Sequence, residues 1–456
     1  MSGMWRALRF LAVLGAVAAG AAWLADQQGS AIFEWRGYRV ETTTAVLVAA
    51  VMAVAVLVAL LYRLWLFMCR VPAALGRVRR AGRRRRGYLA LTRGMVAVAA
   101  GDAEDARRQG KRAEGLLGDP PLTMLLSAQA AQLAGDERAA EKFFKAMLER
   151  PETEFLGVRG LLTQSLKQDD REQALALARR AYRLKPKSEW VAAHLFDLQL
   201  RAEQWADAEM TLAASVRGGL VGADDGERRR AVLLHQRSLE AGVRADGAAS
   251  LRLARQAFEL DPAFVPGAVR LAHLLVAAGK ERKAVQAVER AWRRQPHPDL
   301  AEVYWAARPG ADALDRLRAL QHLADLNPDH VESHVTVARA ALEARLWGEA
   351  RKHLEAANGA AASAPVCRLM AELEESENGD TARAHEWLMR ASVADPGPAW
   401  VCGDCGMVVA EWTVLCPKCA SFDSLAWRRP PGAASLAAGT QAEATAALPA
   451  ADGAPG

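Results

Sequence analysis

Residues 270–296 read RLAHLLVAAGKERKAVQAVERAWRRQP, and the spacing of small and apolar residues in this stretch decides the fold of most of the chain. Ala284 follows Gly279 after five residues, and Pro296 follows Ala284 after twelve. The same spacings recur in residues 370–396, MAELEESENGDTARAHEWLMRASVADP, at Gly379, Ala384 and Pro396. The repetition predicts one structural unit used several times.

Each unit predicts two antiparallel helices in close contact. Small side chains such as Ala272 and Ala284 let the two helix backbones approach each other. A glycine such as Gly279 ends the first helix, because the position after a helix often requires a left-handed conformation. Trp292 is large enough to fill the space to the next unit, and a proline ends the second helix because it cannot continue one.

Prolines expected to close such units recur along the chain at Pro151, Pro186, Pro262, Pro296, Pro328 and Pro396. Neighbouring steps are 35, 34 and 32 residues, and one of 68 fits two units. The longer step from Pro186 to Pro262 predicts two units with an insertion around residues 218–227. This pattern resembles the tetratricopeptide repeat, a helix pair of about 34 residues. It predicts seven to nine pairs whose concave face binds partner proteins.

Two uncharged apolar runs precede the repeats, at residues 10–25 and 42–62. A helix needs about 20 apolar residues to cross the bilayer core, so the runs predict spans at about 8–25 and 42–62. A cleaved signal peptide is the alternative for the first run. The short stretch between the runs favours a transmembrane hairpin.

Nine arginines and no acidic residue lie between Arg63 and Arg86. This asymmetry places both termini in the cytoplasm of a multi-pass protein of the bacterial inner membrane. The whole chain has a net charge of +6, so the residues outside this arginine segment are slightly acidic. The arginines from Arg77 to Arg86 are expected to contact anionic lipid headgroups. No aromatic side chains alternate with them, so no nucleic-acid partner is predicted.

Four cysteines form two C-x-x-C motifs with ten residues between them, at Cys402, Cys405, Cys416 and Cys419. This spacing predicts a closed four-thiolate site with structural zinc. Iron in a rubredoxin-like centre uses the same ligands, and disulfides are disfavoured in a reducing cytosol. Trp400, Trp412, Phe422 and Trp427 are expected to pack around this site and onto the last repeat.

The sequence thus predicts an all-α chain with a small metal module. Its segments are a transmembrane hairpin (1–69), an arginine-rich juxtamembrane helix (70–90), the repeat array (91–398), the zinc-ribbon or rubredoxin-like module (399–428) and a disordered tail (429–456). No nucleotide-binding fingerprint, P-loop, nucleophile elbow or H-E-x-x-H motif is present in the sequence. The chain is therefore predicted not to be an enzyme.

The N-terminal half carries a family resemblance. The exit of the hairpin, GYRVET at residues 37–42, and the segment LLSAQAAQLAGDE at 125–137 are similar to the HemY family of membrane-anchored tetratricopeptide-repeat proteins. The resemblance implies a scaffold for enzymes of haem (porphyrin) biosynthesis. The cysteine module resembles the rubredoxin-type end of LapB, which implies the alternative of an adaptor that regulates a membrane-linked pathway through proteolysis. A porphyrin-binding or redox protein is the third possibility.

Overall fold

The computed structural model describes residues 30–35, 38–118, 121–308, 312–358 and 363–430, with a few helical positions between Ala12 and Trp23. The chain divides into two compact units, residues 1–147 and 148–456. Each unit is described by itself. Helices dominate both, as the sequence predicts.

The first unit begins with a hairpin of two antiparallel strands, β1 (Ser30–Trp35) and β2 (Tyr38–Thr43). The helix α1 follows directly and runs for 57 residues, Thr44–Ala100, which is about 86 Å at the usual helical rise. Its part Val46–Trp65 is the one stretch of the described chain that is long and apolar enough to cross a membrane. The predicted first span at 8–25 lies almost entirely outside the described residues.

The composition of the sequence changes inside α1, whereas its backbone does not. The expected segment boundaries at residues 69 and 90 both fall within this single helix. The hairpin β1–β2 also occupies what the sequence left as a plain loop between two spans. Alternation of Ile32, Glu34 and their neighbours over six residues is too short a pattern to separate a strand from a loop in sequence.

The C-terminal end of α1 is the first helix of the repeat array. It packs against α2 (Ala103–Leu117) and α3 (Pro121–Leu133), and α4 (Glu137–Met147) completes the unit. Ala90, Leu91, Ala113 and Leu126 form a buried cluster there. Arg83, one of the arginines expected at the lipid surface, donates instead to the main-chain oxygens of Gly115 and Leu116 at 2.6 and 3.1 Å.

The second unit contains the remaining fourteen helices of the described chain, which continue the array as consecutive pairs. They are α5 (Glu154–Lys167), α6 (Arg171–Leu184), α7 (Glu189–Arg201), α8 (Trp205–Arg217), α9 (Ala223–Val243), α10 (Gly247–Leu260), α11 (Val265–Ala277), α12 (Glu281–Trp292), α13 (Pro298–Ala306), α14 (Ala313–Ala324), α15 (Val331–Glu343), α16 (Trp347–Asn358), α17 (Ala364–Asn378) and α18 (Thr381–Val393). Together with α1–α4 they form nine pairs in the described residues, within the predicted seven to nine.

The turn inside each pair repeats with a period of 34 residues. Left-handed residues occupy it at Gly101, Gly135, Asp169, Glu203, Ala245, Gly279, Arg345 and Gly379. Five residues further on stands a small buried residue: Ala106, Ala140, Ala174, Ala208, Ser250, Ala284, Ala350 and Ala384. The closing prolines lie between pairs, as predicted. The expected insertion around residues 218–227 is largely a longer helix, because α9 has 21 residues.

A three-stranded antiparallel sheet follows the last helix pair. Its strands are β3 (Ala399–Cys402), β4 (Val408–Val409) and β5 (Leu425–Arg428), in the order β4-β3-β5. β3 pairs with β5 over four residues, from Ala399 opposite Arg428 to Cys402 opposite Leu425. The sheet and its connecting turns form the cysteine module, defined here as residues 399–428.

Candidate metal centre

The two C-x-x-C motifs of the cysteine module fold into two turns of the same shape. In the first turn the Gly406 N–H donates to the Cys402 carbonyl at 3.1 Å, and in the second the Ala420 N–H donates to the Cys416 carbonyl at 2.8 Å. Gly406 and Ala420 are both left-handed, with φ of 70° and 57°. This conformation turns the chain back so that both thiols of each motif point to the same side.

The turns bring the four predicted cysteines together. Their sulfur atoms all lie within 4.8 Å of one another. The Cys402 and Cys419 sulfurs are 3.6 Å apart, as are those of Cys405 and Cys416. A tetrahedral ion at the usual Zn–S distance of about 2.3 Å separates its sulfur ligands by roughly 3.8 Å. A disulfide would require about 2.05 Å, so the geometry suits a metal ion and the four thiols are free.

Hydroxyl groups of the second turn stabilise thiolate character at the site. The Ser424 hydroxyl lies 3.3 Å from the Cys402 sulfur, and the Ser421 hydroxyl lies 3.3 Å from the Cys419 sulfur. The contact with Ser424 lowers the pKa of the Cys402 thiol to about 6, and the contact with Ser421 lowers the pKa of Cys419. Metals bind the deprotonated form of cysteine, so these contacts favour a metal-loaded site.

The cysteine module packs back onto the middle of the array. Arg228 on α9 binds Asp423 of the module through two hydrogen bonds of 2.8 and 2.9 Å, across 195 residues of sequence. The same guanidinium binds Asp261 at 2.6 Å. Phe422 packs edge-on against Phe196 of α7, with ring centroids 5.5 Å apart. A bidentate arginine–carboxylate pair adds fixed geometry as well as attraction.

Aromatic side chains of the module fill gaps between helix pairs. Trp412 packs edge-on against His235 of α9 and against Phe264. Trp400 and Trp427 both pack against His297, which immediately precedes α13. The expectation that these aromatic side chains pack onto the last repeat is therefore wrong. Their partners belong to earlier pairs, and no local sequence pattern reports contacts over such separations.

Two histidines beneath the module are deeply buried, which agrees with a packing role. Burial, aided for His235 by the nearby charge of Arg270, lowers the pKa of both His235 and His297 to about 4. Both imidazoles are therefore neutral near pH 7. Sequence reasoning did not identify Arg228, Phe196 or Phe264 as the residues that hold the module. Each looks locally like an ordinary helix-surface or helix-core residue.

The structure defines a class of protein: a tetratricopeptide-repeat α-solenoid whose first helix contains a candidate membrane span and whose end carries a four-cysteine module. Residues 29–135 match the family described as HemY protein N-terminus. The chain is 31% identical over 413 residues to the probable magnetosome protein Mms48 of Magnetospirillum gryphiswaldense, covering 89% of this chain and 90% of that protein. The chain belongs to this HemY-type family.

Solved structures with similar folds are helical-repeat proteins of low sequence identity. The TPR2AB-domain:pHSP90-complex of yeast Sti1 matches with a TM-score of 0.29 and 12% identity, covering 67% of this chain and 98% of that one. The MamA protein matches with a TM-score of 0.22 and 12% identity, covering 50% and 94%. The family assignment does not depend on either likeness.

Proposed function

We propose that this protein is a membrane-anchored scaffold that holds partner proteins on its repeat array and organises or regulates enzymes of haem (porphyrin) biosynthesis. One observation carries the proposal. The candidate membrane span Val46–Trp65 and the first helix of the array belong to the same helix, α1. A continuous helix holds the array close to the membrane, where enzymes with poorly soluble intermediates work.

The location that fits this role is the bacterial inner membrane, with two spans and both termini in the cytoplasm. The arginine-rich segment after the span supports this orientation. Of its residues, Arg84 and Arg85 are exposed and would contact anionic headgroups, whereas Arg83 binds α2. The proposed role is not catalytic, because repeat arrays offer extended binding surfaces and the chain carries no catalytic motif that we recognise.

The first helices of the middle pairs, α7, α9 and α11, are the surface on which such an array would be expected to bind partners. In this protein the cysteine module contacts that surface through Phe196, Arg228 and His235. Partners would therefore bind beside the module, or contact the module and the array together.

We propose that Cys402, Cys405, Cys416 and Cys419 hold one structural zinc ion. The ion would hold together a module of about 30 residues that is too small to fold on its own core. Metal analysis of the purified protein should find one zinc per chain and a colourless solution. A visible absorption spectrum of ferric iron–thiolate would instead assign the rubredoxin-like alternative.

The functional proposal is tested by crosslinking in native membranes, followed by solubilisation and recovery of the tagged protein. Enzymes of late haem synthesis should be recovered with it, and they should be lost when the array is deleted after residue 118. Recovery of lipopolysaccharide enzymes or a membrane protease without haem enzymes would favour the LapB-like adaptor. A Soret shift on adding haem to the purified protein would favour the porphyrin-binding alternative.

A further inference from the structure

A cavity of about 410 Å³ lies where the cysteine module meets the array. Helix α11 forms one wall, and the start of α13 forms the next. The module supplies the rest. The residues that matter for its chemistry are three indoles, one imidazole and two carboxylates: Trp400, Trp412, Trp427, His297, Asp299 and Glu411.

Two N–H groups at this cavity have no acceptor among the described residues. His297 is 1% exposed, and its Nδ1 accepts a hydrogen bond of 3.2 Å from the Asp299 N–H. The neutral ring must then carry its proton on Nε2, which is buried and without a partner in the described chain. The buried Nε1–H of Trp412 is in the same situation. Both groups are donors, so the cavity offers hydrogen bonds to an oxygen acceptor.

The rim of the cavity is negatively charged. Asp299 and Glu411 are exposed, and within the described ranges neither pairs with a lysine or an arginine. Arg270 is the only cationic side chain in the described lining, and its guanidinium is engaged elsewhere. Its Nη2 donates to the Ser250 hydroxyl at 3.1 Å and approaches the position that a Cβ on Gly242 would take. Indole faces attract cations as well.

We propose that this cavity binds a lysine or arginine side chain presented by a partner polypeptide. The cationic group lies between Asp299 and Glu411 and over the indole faces. A main-chain carbonyl of the same polypeptide accepts from His297 Nε2–H and Trp412 Nε1–H. An anionic ligand would meet two carboxylates. The chain's own residues 431–456 contain no lysine or arginine, so the chemistry points to another polypeptide. The inference rests on the proposed role as a protein-binding scaffold.

The test uses the full-length protein in detergent, labelled with ¹⁵N at the indoles of its 13 tryptophans. Trp412→Phe identifies the Trp412 N–H signal. Acetylated, amidated nonapeptides of alanine and serine are added with lysine, arginine, leucine or glutamate at the centre. The lysine and arginine peptides should shift the Trp412 signal saturably, and the leucine and glutamate peptides should not.

Glu411→Gln removes one rim charge at an exposed position without changing side-chain size. It should weaken binding of the basic peptides about three- to fivefold, the range expected for one exposed ion pair. Glu386→Gln, an exposed acid on α18, is the matched control and should leave binding unchanged.

Equal binding of the glutamate peptide, no shift of the Trp412 signal with any peptide, or a Glu411→Gln variant that binds like the parent would each overturn the proposal. The peptides are synthetic, so this result is independent of whether haem enzymes are recovered by crosslinking.

Discussion

At the scale of single residues, the period of the array is most clearly marked by backbone conformation. Four of the eight left-handed turn positions hold glycine, and the other four hold Asp169, Glu203, Ala245 and Arg345. A residue with a Cβ is strained there by about 1–2 kcal/mol. The helix pair is formed by its buried face, so it tolerates this strain. Sequence comparison by glycines alone therefore finds only half of the turns.

A reciprocal pair of substitutions tests this strain. Ala245→Gly should raise the free energy of unfolding by about 0.5–1 kcal/mol, because it relieves strain that exceeds the added chain entropy of glycine. Gly279→Ala should lower it by a similar amount, since φ is 65° and a Cβ there meets no atom within 4 Å. Urea unfolding followed by circular dichroism measures both changes. A fall in stability for Ala245→Gly would contradict the argument.

The buried imidazole of His235 predicts a dependence of stability on pH. Its pKa is about 4 in the folded chain, because of burial first and the charge of Arg270 second, against 6.5 for an ordinary histidine. The unfolded chain therefore takes up the proton first. The contribution is complete above pH 6.5 and is lost as the pH falls towards 4. The loss reaches about 3 kcal/mol at most, at roughly 1.4 kcal/mol per pKa unit.

His235→Asn removes this titration. Urea midpoints measured between pH 7 and 4 should fall more steeply for the parent than for the variant. Acid release of the metal affects both proteins, so the difference between them isolates His235. Parallel curves would show that His235 does not titrate in this way.

At the scale of secondary-structure elements, helix pairs are joined by ion pairs of very different burial. Arg351 on α16 binds Glu374 and Glu377 on α17, at 2.7 and 2.6 Å. The side chain of Glu374 is only 3% exposed. Arg290 on α12 binds Glu259 on α10 at 2.9 Å, but both side chains are about half exposed. A buried carboxylate depends on its partner far more than an exposed one does.

Removal of these two arginines should therefore have unequal effects. Arg351→Met should lower the free energy of unfolding by about 3 kcal/mol, because it leaves Glu374 with only Arg383 at 3.8 Å. Arg290→Met should cost less than about 1 kcal/mol. Adding Glu374→Leu to Arg351→Met should recover most of the loss. Thermal unfolding of the four proteins measures this, and equal costs for both arginines would be inconsistent with it.

Element boundaries were predictable where one local signal controls them. The prolines and the Gly279 and Gly379 turns end helices in the structure as in the sequence. The hairpin β1–β2 and the single long helix α1 were not predicted. A strand pair depends on contacts between two short segments, and a change in composition along a helix does not interrupt its hydrogen bonds.

At the scale of the whole molecule, the cysteine module and the middle of the array share one core. Trp400, Cys402, Cys416 and Leu425 belong to the same buried cluster as Ala268, Leu271 and Leu300 of the array. The module is thus held by the array as well as by its own ligands. Loss of the metal is expected to weaken contacts far from the cysteines in sequence.

Metal removal tests this coupling. Chelation of the purified protein, or Cys402→Ser, should release the metal and expose Trp400, Trp412 and Trp427, which shifts tryptophan fluorescence to longer wavelength. Helix content should be largely retained, because most pairs do not contact the module, while the melting temperature falls. Asp423→Asn keeps the metal ligands and tolerates the left-handed backbone at φ 48°, and should lower the melting temperature less. Unchanged fluorescence after metal loss would contradict the shared core.

The sequence by itself determined the helix pairs, their period, the apolar span and the two cysteine motifs. Each of these depends on residues within about 34 positions, where hydrophobic spacing, turn residues and ligand spacing act directly on the local chain. Only the tertiary structure decided where the module lies and which residues hold it. Arg228 and Asp423 meet across 195 residues. Such contacts follow from how successive pairs stack, and that stacking is the sum of many small packing preferences that no single motif records.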